Sequence, residues 1–287
     1  MKPCLPPREH VTTPSWRSPE GGCDCHFHIF CPFDRYPLHS GRSYTPRREA
    51  SVAEYRAMAD TLGLSRGVVV QASIHGTDNR CTLASVAELG ADRYRAVVVV
   101  DDTADAAALA AMHAAGARGV RFNAVSGNGT PLEQLALLAR RIAPLGWHIQ
   151  CYVHGEQLPE LAPRLAALPV PVVIDHAGGV APAKGLGHPE FQALLRLLGS
   201  GRAWVKLSFY RPSAGPPYAD MQPQIRALIE AAPERCVWGT DWPHPSLERD
   251  MPDDGVLFDL LGEWMPEAAT RRRILVDNPA ALYGFEA

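Results

Sequence analysis

The sequence predicts a single-domain α/β protein, a (β/α)8 barrel. Three observations carry this. Eight short apolar runs alternate with amphipathic helical runs from Gly22 onward, which is the signature of strands joined by crossover helices. Polar side chains collect at the C-terminal ends of most of those runs, where barrels of this class keep their chemistry. No GxGxxG follows the first strand, which argues against a doubly wound open sheet. A chain of 287 residues, 46% hydrophobic and 21% charged, suits one such barrel.

Residues 1–21 hold several prolines and little periodicity, so they read as an N-terminal arm or a disordered lead-in, with the barrel spanning 22–287. The strand candidates are Cys23–Phe30, Gly67–Ser73, Tyr94–Val100, Arg118–Asn123, Trp147–Val153, Val170–Asp175, Ala203–Ser208 and Cys236–Thr240. Helical spacing falls on Val52–Leu62, Ala104–Ala115, Leu132–Pro144, Gln157–Leu168, Phe191–Leu198 and Ile225–Ala232.

Charge and cysteine content exclude several classes. A net charge of −3 leaves no broad basic surface for nucleic acid. No apolar run reaches transmembrane length and no signal peptide opens the chain, so no membrane partner is expected and a cytoplasmic location is. Seven cysteines lack paired spacing and read as reduced, mostly buried thiols.

The first strand carries Asp24, His26 and His28 two residues apart, a spacing that puts all three on one face of a regular strand. Paired imidazoles at a strand end either bind a metal or donate hydrogen bonds to a substrate oxygen. Further polar residues close the other strands: Gln71 and Ser73, Arg121 and Asn123, Tyr152 and His154, Asp175 and His176, Lys206 and Ser208 followed by Tyr210 and Arg211, then Asp241 and His244. His148 and Gln150 lie deeper and suit a hydrogen-bonded core layer, and Lys206 is expected to pair with Asp24. The run Ser126-Gly-Asn-Gly is a turn, since no Lys-Ser/Thr follows it.

The order His26-x-His28, His176 and Asp241 resembles the amidohydrolase superfamily. The fit is closer to one branch, the 2-pyrone-4,6-dicarboxylate lactonases. Segments that carry the likeness include Asp24–Phe30, Val70–Arg80, Arg118–Asn123, Ile174–Gly178, Val276–Pro279 and above all Trp238-Gly-Thr-Asp-Trp-Pro-His-Pro245. The resemblance implies ring-opening hydrolysis of a small-molecule lactone. Asp241 would activate water, while His26, His28 and His176 would polarise the carbonyl, with at least one imidazole protonated. Tyr44, Gln71, Ser73, Arg121, Tyr152, Arg211 and His244 would bind substrate.

The chain departs from that branch in three places. Gly127 stands where the branch has a second arginine, Gly178-Gly179-Val180 replaces Gly-Arg-Pro, and the spacing before Arg211 is shorter. Two carboxylate-clamping arginines are thereby lost. The branch is metal-independent, so no cofactor is expected. A Zn2+ site of His26, His28, His154 and Asp241 is the alternative, because His154 stands where zinc-dependent amidohydrolases place a ligand. A zinc-dependent decarboxylase of the same superfamily, or a barrel that only binds a sugar acid, are the competing functions. Oligomeric state is not given by the sequence.

Overall fold

The computed structural model describes residues 2–286. Strand β1 (Lys2–Cys4) pairs in parallel with β3 (Tyr44–Pro46), outside the barrel. The barrel strands are β2 (Cys23–Phe27), β4 (Arg66–Val70), β5 (Tyr94–Val98), β6 (Ala117–Asn123), β7 (His148–Tyr152), β8 (Val172–Ile174), β9 (Ala203–Lys206) and β10 (Cys236–Val237). They form one eight-stranded parallel sheet in sequence order. Individual bonds close it into a ring: Cys25 N donates to Trp238 O at 2.8 Å, Asp241 N to His26 O at 2.7 Å and His28 N to Trp242 O at 2.7 Å. Several strands end two or three residues earlier than expected, because at the mouth the chain leaves the ladder for the turns that carry the polar residues.

Helices α1 (Val52–Leu62), α2 (Arg80–Leu89), α3 (Ala106–Ala114), α4 (Leu135–Ile142), α5 (Leu158–Ala166), α6 (Pro189–Gly199), α7 (Gln222–Ala231) and α8 (Asp254–Trp264) cover the sheet, and α9 (Ala268–Arg272) and α10 (Asn278–Tyr283) end the chain. Local signals set their bounds. Ser51 and Glu54 form a reciprocal capping box before α1, and Gly63 ends it in the left-handed region at φ 76°. Helix α4 buries Leu135, Leu138, Ala139 and Ile142, an i, i+3, i+4, i+7 stripe facing the sheet.

Strand alternation divides two cores. Val69, Val98, Val120, Phe122, Ile149, Ile174 and Val205 face the helices, whereas Cys23, Cys25, Val68, Val97, Val173, Trp204 and Val237 fill the barrel with Tyr283 and Phe285. The last two come from the chain end and plug the lower opening.

Three expectations are corrected. The N-terminal arm is no disordered lead-in but a strap along the barrel. Leu5 N donates to Leu247 O at 2.8 Å, Thr12 and Ser15 bond Asp253 and Asp259, and the Trp16 ring stacks on Phe258 with centroids 4.1 Å apart. The prolines forbid a helix there, yet Trp16 supplies an anchor of large apolar area. The cysteines are not all thiols, since Cys31 and Cys81 form a disulfide, while Cys4, Cys23, Cys25, Cys151 and Cys236 are free and buried. The bonded pair is 50 residues apart in sequence, and only the fold brings the two Cα atoms to 5.8 Å. Finally, Asp24 does not share a face with His26. The register of β2 on β4 shifts between Asp24 and Phe27, and this irregularity turns His26 inward while Asp24 and Phe27 both meet Tyr55 of α1. No helix among the described residues is long and apolar enough to cross a membrane.

Candidate active site

The mouth of the barrel holds a pocket centred on Asp241. Along the strands the interior changes from apolar to polar: Trp204 gives way to Lys206 on β9, and Val173 on β8 is followed by Asp175. Lys206, Gln150, Asp175 and His26 make a wholly buried middle layer. Lys206 Nζ donates to Gln150 Oε1 at 2.7 Å and lies 3.5 Å from Asp175 Oδ1, and Gln150 Nε2 donates to Asp175 Oδ2 at 3.0 Å. The expected partner of Lys206 is thus replaced: Asp175, not Asp24, is its counter-charge, because Asp24 points away from the interior. His148 lies lower still, against Tyr283, and burial pushes its pKa down to about 3.

Above that layer, Asp241 Oδ2 accepts hydrogen bonds from Arg211 Nε and from Tyr210 Oη, the latter at 2.6 Å. Its Oδ1 has no hydrogen-bond partner and faces His28 Nε2 at 3.2 Å and His26 Nε2 at 3.5 Å, while His176 Nε2 stands 4.0 Å from Oδ2. Burial alone would raise the Asp241 pKa, but the Arg211 guanidinium holds it well below the usual carboxylate range. Burial lowers all three histidines, His176 to about 3. Burial thus disfavours the charged imidazoles, and the positive charge of the site is carried by the guanidinium and ammonium groups.

Backbone geometry is unusual at these positions. His176 and Asp241 sit in the left-handed region at φ 52° and 62°. For non-glycine residues that costs roughly 1–3 kcal/mol each and persists where surrounding structure imposes it. Here a hydrogen bond holds the His176 ring, Nδ1 to Ser208 Oγ at 2.8 Å. Asp241 is held by its amide bond to His26 O, and Gly239 makes that approach feasible: a Cβ there would lie 2.6 Å from His26 N and Cβ.

Of the predicted site residues, His28, Tyr44, Ser73, Arg121, Tyr152, His176, Arg211 and Asp241 line the pocket together. His26 backs Asp241 from the layer beneath. Gln71 does not line the pocket, because its amide donates to Gly76 O and Asp78 O and accepts from Thr82 Oγ1. His244 is also outside, with Nε2 3.1 Å from Asp254 Oδ1. His154 is exposed ahead of a short turn and belongs to neither cluster of metal-type ligands. Residues missed as site members are Ser43, Asn123, Ser126, Pro245 and Ser246 in the pocket wall and Tyr210 on Asp241. Tyr210 and Asn123 had a signal, since both are polar and follow strands; Ser126 was masked by its turn-like neighbours.

Two groups have ligand atoms close enough to hold one metal ion: His26, His28 and Asp241, and His26, Asp175 and His176. Their spacing suits a cation but their surroundings do not. Arg121, Lys206 and Arg211 face only Asp175 and Asp241, so the site carries one positive charge with its histidines neutral. A dication would raise that to three in a buried space. The loss of His154 also removes the fourth protein donor.

Residues 23–285 match the amidohydrolase family model. A 2-pyrone-4,6-dicarboxylate hydrolase from Comamonas testosteroni is 40% identical over 283 residues, covering 94% of this chain and 92% of the relative. A 4-sulfomuconolactone hydrolase from Hydrogenophaga intermedia is 38% identical, covering 98% and 94%. A crystal structure from Agrobacterium tumefaciens superposes with a TM-score of 0.85 at 34% identity, covering 95% of this chain and 99% of that one.

Proposed function

Because this chain belongs to the amidohydrolase family, we propose that it hydrolyses a lactone bearing one anionic group, with Asp241 as the general base and no metal. The observation that carries the reading is the asymmetry of Asp241. One carboxylate oxygen is clamped by Arg211 and Tyr210, and the other is ionised, unpartnered and beside the pocket. A water at Oδ1 loses its proton to that oxygen as it attacks the carbonyl carbon. His176 stands where a donor to the tetrahedral oxyanion is needed, His28 Nδ1 being held by Val70 O at 2.7 Å, and Arg211 adds positive charge to the same region. When the ring C–O bond breaks, the leaving oxygen takes the proton from Asp241, and the new carboxylic acid ionises, releasing one proton to solvent.

The charge balance names the substrate class. The two relatives act on a pyrone dicarboxylate and a sulfomuconolactone, both anionic lactones. This site has one uncompensated positive charge. Arg121 has one donor on Gln71 O, at 3.1 Å, and its Nε lies 3.6 Å from Asp175 Oδ2. Where the branch has another arginine there is the Ser126–Gly129 turn, whose Ser126 Oγ and Asn128 Oδ1 lack partners. That corner suits a hydroxyl rather than a second carboxylate. A panel of neutral, monoanionic and dianionic lactones, followed with a pH indicator, tests the reading. Acid release from monoanionic members is expected. CO2 release without ring opening would establish the decarboxylase instead.

A further inference from the structure

The buried Lys206 has no part in the chemistry just described, although burying an ammonium is costly unless every hydrogen is matched. Lys206 Nζ donates to Gln150 Oε1 at 2.7 Å and meets His26 Nδ1 at 3.2 Å, and Asp175 Oδ1 stands 3.5 Å away as its counter-charge. The Gln150 amide is oriented by the same logic, with oxygen to the ammonium and nitrogen to the carboxylate. We propose that Lys206 is a positioning residue that fixes His26 in the tautomer with its hydrogen on Nε2.

The competing tautomer would place the hydrogen on Nδ1, toward Asp175 Oδ1 at 3.3 Å. It would also aim an N–H at an ammonium 3.2 Å away, a donor that cannot accept. Both ends of the ring favour the first arrangement. Nδ1 accepts from Lys206, and Nε2, buried 3.5 Å from Asp241 Oδ1, presents a hydrogen rather than a lone pair to that carboxylate oxygen. Lys206 thus acts through His26 on the orientation of the oxygen that receives the water proton, and this consequence rests on the lactone-hydrolase reading. In a serine-protease triad a wrong histidine tautomer lowers kcat by about 10⁴-fold. Here His26 is one of several groups holding Asp241, so a drop of about 10²-fold is expected.

The tautomer is read directly by two-bond 1H–15N correlation of the histidine-labelled wild-type protein, with the His26 signal assigned by its loss in His26→Gln. A hydrogen on Nε2 supports the proposal, and a hydrogen on Nδ1 overturns it. This measurement needs no substrate, so it stands or falls apart from the lactone reading, which fails if no lactone is opened. In Lys206→Met the ring is expected to switch to the Nδ1–H form, with kcat reduced about 10²-fold and KM little changed. An unchanged tautomer in a folded Lys206→Met protein would overturn the proposal.

Discussion

Asp24 holds together the two strand ends that carry His26 and Asp241, and its protonation is testable. Its Oδ1 accepts from the amides of His26 and Thr240, each at 3.0 Å, and its Oδ2 from the hydroxyls of Thr240 at 2.6 Å and Tyr55 at 3.4 Å. Burial pushes its pKa from 3.8 up to about 7, with those donors offsetting only part of the effect. Between those two values the native state holds a proton that the unfolded chain has released. The associated stability is fully present below about pH 3.8 and lost as pH rises through about 7. At about 1.4 kcal/mol per pH unit the loss is at most about 4 kcal/mol. Asp24→Asn mimics the protonated form at every pH. Its amide oxygen can take the two backbone N–H groups, and its NH₂ can donate to the Thr240 and Tyr55 hydroxyl oxygens. Urea unfolding of both proteins at pH 4 and pH 8.5 should show the stability difference moving toward the variant by about 4 kcal/mol across that range. Parallel pH dependences, or a variant that loses ground at high pH, would refute the reasoning.

Other outcomes follow from the pocket. Asp241→Asn should fold yet lose about 10²–10⁴-fold in kcat, because Arg211 and Tyr210 demand an oxygen at the Oδ2 position and so put the NH₂ where the base must be; near-wild-type acid release would reject Asp241 as base. Gly239→Ala should destabilise by about 1–3 kcal/mol in thermal or urea unfolding, since its Cβ would sit 2.6 Å from His26 backbone; an unchanged midpoint would mean that the strand ends adjust freely. A pyrone dicarboxylate should be turned over poorly beside a monoanionic lactone, measured as kcat/KM, and the reverse order would mean that other groups pair the second carboxylate. Purified protein should contain no stoichiometric zinc by elemental analysis and keep its activity after chelation; loss of turnover with the metal would overturn the metal-free reading.

The barrel was legible because its evidence is repeated eight times, so the misplaced end of any one strand cannot change the class. The pocket was legible for the same reason, as residues just beyond strand ends converge whatever the details of each loop. Position within the pocket was less so. Nothing in the spacing of Asp24, His26 and His28 reveals the register shift that separates Asp24 from the histidines. Gln71 and Arg121 read alike as polar strand-end residues, yet Gln71 is saturated by its own loop while Arg121 lines the pocket. The Cys31–Cys81 pair was illegible because its 50-residue separation has no local pattern. The Trp16 anchor was overlooked in a stretch judged by its prolines.

The vertical order of the barrel interior explains how neutral imidazoles and charged groups coexist there. Tyr283, Phe285 and Trp204 close the lower end with apolar surface, so water does not reach the Lys206–Asp175 layer from below. In that dry layer each charge is strongly felt by its neighbours. Burial and the Lys206 ammonium both hold His26 well below its ordinary pKa, while the Lys206 ammonium helps keep Asp175 ionised against its own burial. Asp241 obeys the same rule one layer higher, kept ionised by Arg211 although fully buried. A carboxylate so stabilised is a weak base in isolation. As the proposed base it depends on Oδ1 remaining open to water, and the surrounding cations would then favour the anionic transition state over the resting pocket. On the proposed reading, the one net positive charge of the site is the charge that an anionic lactone neutralises on binding.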